Sequence, residues 1–257
     1  MTVNIEHQAQ YEFNSLEAAA RGVPWRYCAI NDNYLYLYSG VSSGPNAQRL
    51  VAYDRNLKTR VRTADIAITD LTAGISGIWV DDSTAWVFTT NSRSQRIAVP
   101  YTISTGTIDT ANTVVLESIG DPNGLTQSNN RWWHPISAPG VGTTITRLYT
   151  NDLSGGDGKF FEFPAQSGIS VTPRGCGSVL NYVVIAAVTL NTSTRTLVHQ
   201  LFFFDTTKEE FVAPPFGVAS PNDNAVDVTG DDGVLWVYDQ TDNKMYAYDA
   251  SDGRSLT

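Results

Sequence analysis

The feature that most constrains this chain is a unit that returns along it: a strand, a polar tetrad and a second strand, then a third strand opening on a basic or amide residue. Its clearest copy runs from Gly77 to Asn91, where apolar runs flank Asp81-Asp82-Ser83-Thr84, and continues at Arg96-Ile-Ala-Val-Pro-Tyr101. β-Branched and aromatic residues fill these runs, and a pleated strand accommodates them well. A second copy spans Asp227 to Asp239, with Asp231-Asp232-Gly233 as its turn, and adds Lys244-Met-Tyr-Ala-Tyr-Asp249.

Aligning the third strands on Arg49, Arg96, Arg147, Gln200 and Lys244 gives spacings, by subtraction, of 47, 51, 53 and 44 residues. The second strands align as well, and one column of them reads Tyr36, Trp86, Trp132, Val184 and Trp236. A large side chain recurring at one strand position implies packing between neighbouring units. Units of roughly 40–50 residues built from short strands are the signature of a β-propeller, in which four-stranded blades pack radially around a channel. The expected fold is all-β, a five-bladed β-propeller, with six blades as the alternative. Blades are expected at about 22–70, 71–119, 120–166, 167–215 and 216–257, within a single domain. The fifth unit stops one strand short, and residues 3–13 supply a spare strand. The N-terminal strand is therefore expected to close the ring as the outermost strand of the last blade, because an open array would leave an unpaired edge. Ser15 to Ala20 reads as at most one helical turn.

The stretch Asp231-Asp-Gly-Val-Leu-Trp-Val-Tyr-Asp239, followed by Lys244 to Gly253, resembles the degenerate blade repeat of bacterial and phage β-propellers. In that repeat a turn, a Trp-Val strand and a Lys-x-Tyr-x-Tyr-Asp strand recur. The resemblance covers about residues 22–257 at the level of blades. It implies the fold and leaves the activity open, since propellers serve as lectins, hydrolases, cyclotransferases and scaffolds alike.

Charge narrows the partners. With 26 acidic against 17 basic residues, a net charge of -9 and no basic block, the chain is not expected to bind nucleic acid or an anionic membrane. It has no run of about 18 apolar residues, so no transmembrane helix is expected. The segment Met1 to His7 lacks the basic and apolar regions of a signal peptide. These features suit a virion-associated or cytoplasmic protein. Cys28 and Cys176 fall in strands of non-neighbouring units and are expected to be free, buried thiols.

No nucleophile, phosphate-loop or dinucleotide motif occurs, and His7, His134 and His199 fall in three units without metal-ligand spacing. No catalytic residue, metal or cofactor is assigned. A carbohydrate-active or cyclotransferase-like enzyme, the alternative, would draw on Asp121, Asp223 and Asp227 with Glu117 behind them, as glycoside hydrolysis needs paired carboxylates. Asp and Asn in turns more often bind their own backbone, and the pairs Asp81-Asp82 and Asp231-Asp232 suit plain hairpins as well as calcium. What remains is a binding surface. The connections at Gly22 to Trp25, Asp121 to Gly124, Thr172 to Gly175 and Pro221 to Asn224 read as turns entering the first strands. They share one face of a propeller with the loops joining second to third strands. Trp25, Arg26, Asn123, Arg174, Asn222 and Asp223 are expected to ring the channel mouth, with Arg93 and Arg195 reaching in from those longer loops. An aromatic ring beside Arg and Asn can stack on a sugar while bonding its hydroxyls. The expected role is a non-enzymatic recognition or structural module whose partner is carbohydrate or protein.

Overall fold

A computed structural model describes residues 6–12, 25–39, 49–54, 62–67, 74–116, 121–139, 144–164, 167–217, 225–231, 233–239 and 244–250. The expected helical turn at Ser15 to Ala20 lies outside them. Strand β1 (Glu6–Glu12) precedes the first blade, which consists of β2 (Trp25–Ile30), β3 (Tyr34–Ser39), β4 (Arg49–Asp54) and β5 (Arg62–Ala67). Blade 2 has β6 (Gly77–Val80), β7 (Thr84–Thr90) and β8 (Arg96–Thr102), and its outer strand is split into β9 (Thr107–Ile108) and β10 (Val114–Leu116) by a 3-10 turn at Thr110–Asn112. In blade 3 the inner strand is split instead, into β11 (Asp121–Pro122) and β12 (Thr126–Ser128), followed by β13 (Arg131–Pro139), β14 (Thr144–Asp152) and β15 (Lys159–Glu162). Blade 4 is a meander of β16 (Ile169–Val179), β17 (Tyr182–Asn191), β18 (Thr196–Asp205) and β19 (Glu210–Gly217). Blade 5 takes β20 (Ala225–Asp231), β21 (Val234–Asp239) and β22 (Lys244–Asp249) from its own unit and β1 as its outer strand.

That last pairing closes the ring. β1 lies antiparallel to β22 from Glu6 opposite Asp249 to Glu12 opposite Lys244. The inner strands follow one another around the axis as β2, β6, β12, β16 and β20, and β20 returns to β2. The chain is a five-bladed β-propeller closed by its N-terminal strand, and the six-bladed alternative falls.

Each junction between blades holds its own apolar cluster, which explains why the strands carry apolar residues on both faces. Tyr38, Val87 and Tyr101 lie between blades 1 and 2, and Phe88, Leu125 and Trp132 between blades 2 and 3. Trp133, Ile185 and Phe204 fill the third junction, Val184, Phe203 and Tyr246 the fourth, and Leu37, Trp236 and Met245 the last. Burial is complete along β17 from Tyr182 to Thr189. Truncating one such aromatic to alanine removes about 3–5 kcal/mol. Cys28 and Cys176 are buried free thiols.

Turns are held by side chains that accept from their own backbone. Asp81 Oδ1 takes the amides of Ser83 (2.8 Å) and Thr84 (2.7 Å), and Asp205 Oδ1 takes those of Thr207 (2.9 Å) and Lys208 (3.1 Å). Asn31 and Asn191 repeat the device. These Asp and Asn positions are therefore explained by turn chemistry.

Neighbouring inner strands approach one another backbone to backbone. A Cβ on Gly77 would lie 2.5 Å from the carbonyl carbon of Gly124, one on Gly124 would strike the Cys176 amide, and one on Gly175 would strike the Asp227 carboxyl. Gly177 and Gly230 are pressed against neighbouring inner strands in the same way. Gly124 also has φ +100°, a region that costs other residues about 1–3 kcal/mol. Substituting Gly124→Ala is expected to lower the melting temperature by roughly 5–10 °C, from this strain and the contact combined. Gly74→Ala, exposed with nothing within 4 Å of the added carbon, is expected to melt like the parent. Deleting residues 1–13 exposes the β22 edge and is expected to cause aggregation or a large fall in melting temperature. A truncated protein as stable as the parent would contradict the closure role of β1.

Candidate functional site

The inner strands open on the same end of the ring as the β7–β8 and β17–β18 turns, because each first residue pairs with the last residues of the strand beside it. At that end three inner strands carry a bulge at the same level. The register skips between Trp25 and Tyr27, between Pro173 and Gly175, and between Ala225 and Asp227. The segment Thr172 to Gly175, expected as a turn, is thus strand with one extra residue. A bulge leaves its extra residue out of the ladder and re-aims the side chain. In blades 1 and 4 that residue is Arg26 and Arg174, and both are exposed.

The two guanidiniums act on one phenol. Burial pushes the Tyr27 hydroxyl well above the usual tyrosine range, and the Asp227 carboxyl adds to this, while Arg26 and Arg174 both oppose it. Tyr27 stacks on Tyr38 with ring centroids 6.2 Å apart, and burial raises Tyr38 to about 12. Behind them Asp227 is buried, its Oδ2 accepting the Cys28 amide at 2.7 Å and its Oδ1 without a hydrogen-bond partner among the described residues. Burial holds this carboxyl well above the ordinary carboxylate range, against the pull of the Cys28 and Val228 amides. The Cys28 and Cys176 thiols are raised by burial and then by Asp227, which suits inert packing groups. The mouth therefore presents two exposed cations over a half-buried phenol, a buried one and a buried acid.

The other expected residues distribute as follows. Asn123 is half-buried, its amide donating to the Pro135 carbonyl at 3.0 Å. Arg93 is exposed in the β7–β8 turn, where its amide donates to Asn91 Oδ1 at 2.9 Å. Arg195 is exposed in the β17–β18 turn with φ 59°. The five steps along β17 from Ala186, opposite Gly175, to Asn191 carry that turn about 17 Å along the ribbon. Trp25 opens β2 opposite Ser39. Its side chain, the side chain of Asp121, and residues Glu117, Asn222 and Asp223 lie outside what the structure describes. Sequence reasoning missed Tyr27 and the bulges, for which the only signal is a basic residue among the apolar and small residues of an inner strand, at Arg26 and at Arg174. Among the described residues no three His, Cys, Asp or Glu side chains are grouped to hold a metal ion, and no helix is long and apolar enough to cross a membrane.

No family model and no curated protein matches the sequence. Among solved structures the chain is similar to the WD40 β-propeller domain of Doa1, at 8% identity and a TM-score of 0.44, over 98% of this chain and 99% of that one. The class is set by the five sheets described above, which form a ring: a β-propeller.

One buried group makes stability depend on pH. His134 is 0% exposed between Phe88 (centroids 5.1 Å) and Tyr149 (5.9 Å), neither ring nitrogen has a hydrogen-bond partner among the described residues, and burial lowers its pKa from 6.5 to about 3. The unfolded chain takes up this proton below about pH 6.5 and the folded protein only near 3, so acidification across that window favours unfolding by up to about 1.4 kcal/mol per pH unit. Asp227, shifted upward, acts in the opposite sense: its contribution is full below about pH 3.8 and is lost as pH rises. Denaturant unfolding of His134→Phe between pH 7 and 4 is expected to show a shallower loss than the parent. Equal slopes would contradict this assignment.

Proposed function

We propose that the protein is a non-enzymatic recognition module that binds glycans at the channel mouth, as a component of a phage particle or a bacterial surface assembly. The observation that carries the reading is the placement of Arg26 and Arg174 as bulge residues, exposed and within electrostatic reach of the same half-buried phenol, Tyr27. Paired guanidiniums suit acidic sugars, because each can bond a carboxylate or sulfate through two parallel N–H groups. Asp227, the one channel-side carboxylate among the enzyme candidates whose side chain is described, favours binding over hydrolysis: it is buried against the Cys28 amide and has no access to substrate. The particle or surface setting is supported by the likeness of the blade repeat to bacterial and phage propellers.

A glycan array that includes sialylated, uronate-containing and sulfated glycans tests the reading. The parent is expected to bind acidic glycans, and Arg174→Ala and Arg26→Ala to weaken that binding about ten- to a hundredfold, the worth of one charged hydrogen-bonding group. Trp25→Ala is expected to weaken it too, through loss of stacking. Binding that survives all three changes would move the site elsewhere, and an array without hits would turn the search to protein partners.

A further inference from the structure

Blade 2 departs from its siblings in a way that opens a second site. In the repeated column, Tyr36, Val184 and Trp236 are at most 5% exposed, as packing residues between blades should be, and in blade 3 the register gives that place not to Trp132, which faces back to blade 2, but to Trp133, at 1%. Trp86 alone in that column is only half-buried. The cause is the outer strand of its blade: the 3-10 turn at Thr110–Asn112 interrupts it between β9 and β10. What is left between this turn, β7, β8 and the Leu153-Ser154 turn of blade 3 is a cleft of about 540 Å³.

Its floor is apolar and rigid. Trp86 lies opposite Pro100 in the β7–β8 register and leans on Trp132 at 4.9 Å between centroids. Trp132 in turn donates its indole N–H to the Leu153 carbonyl at 3.4 Å, which ties the opposite wall to the same ring stack. The rim is polar. Thr102 offers a hydroxyl that can donate or accept, the Ser154 hydroxyl donates to Asp152 Oδ1 at 2.6 Å and is left to accept, and Asp109 and Asn112 form a fixed pair, the Asn112 side-chain amide donating to Asp109 Oδ2 at 2.6 Å. No Lys or Arg lines the cleft, so an anion would find no counter-charge. An aromatic and proline floor beneath hydroxyl, amide and carboxylate groups matches the C–H face and equatorial hydroxyls of a neutral pyranose.

We propose that the cleft between blades 2 and 3 binds a neutral sugar, its ring stacked on Trp86 and its hydroxyls bonded by Asp109, Asn112 and Thr102. The site lies at the end of the ring that carries the β6–β7 hairpin, opposite the channel mouth, and is independent of the acidic-glycan reading. Both sites can be occupied at once.

Saturation-transfer NMR on the full chain tests this with methyl β-D-glucopyranoside, methyl β-D-galactopyranoside and N-acetylglucosamine, with galacturonate as the anionic comparison. At least one neutral sugar is expected to receive transfer on its ring C–H protons. Ala111→Trp, which places an indole in the cleft from an exposed turn, is expected to abolish that signal without moving the melting temperature. Asn112→Ala is expected to weaken it about fivefold, the worth of one net hydrogen bond, and serves if the bulkier variant fails to fold. Arg174→Ala is expected to leave it unchanged. Absence of transfer from every neutral sugar, an undiminished signal in folded Ala111→Trp or in Asn112→Ala, or loss of the signal in Arg174→Ala would each overturn the proposal, and the last would assign the sugar to the channel mouth.

Discussion

Five inner strands can meet around one axis only if their backbones touch, and side chains stand in the way. The protein meets this constraint with glycine at Gly77, Gly124, Gly175, Gly177 and Gly230, each placed where an added carbon would run into the next strand. At the joint between blades 5 and 1 a carboxyl takes over the task. Asp227 reaches across to the Cys28 amide, which burial would otherwise leave without an acceptor at a cost of about 1–3 kcal/mol. Burial in turn pushes this carboxyl's pKa upward, against the pull of the amides it accepts from.

The close approach of the inner strands leaves room for variation at the rims and at the junctions between blades. There the departures from the repeat matter more than the repeat itself, because a consensus blade only packs. The bulges that expose Arg26 and Arg174 are one such departure, and the split outer strand that uncovers Trp86 is the other.

Much of the fold was legible because its signal is periodic. Blade length, the aromatic column and the missing fifth-blade strand all follow from spacing, and the closing β1–β22 pair is where that count requires it. The site was less legible. Arg26 and Arg174 stand out as basic residues near strand starts, yet only the register shows that each is the extra residue of a bulge, since one bulge reverses the face of every residue beyond it. Arg195 was grouped with them by loop order, and the length of blade 4 separates them along the ribbon. The exposure of Trp86 was hidden because its four counterparts are buried, and the outer-strand interruption that uncovers it lies more than twenty residues further along the chain.

The pairing of β1 with β22 also orders events in time. During synthesis β1 emerges before any blade, and its partner emerges after four of them are complete. The intervening blades must hold by their own side-to-side contacts, as units of a linear array do, until the ends meet. Loop closure over so long a span adds only a few kcal/mol of entropy cost, because that cost grows with the logarithm of length. It does make the final step slow relative to the local hairpins. The circle can therefore form only once the last blade has emerged.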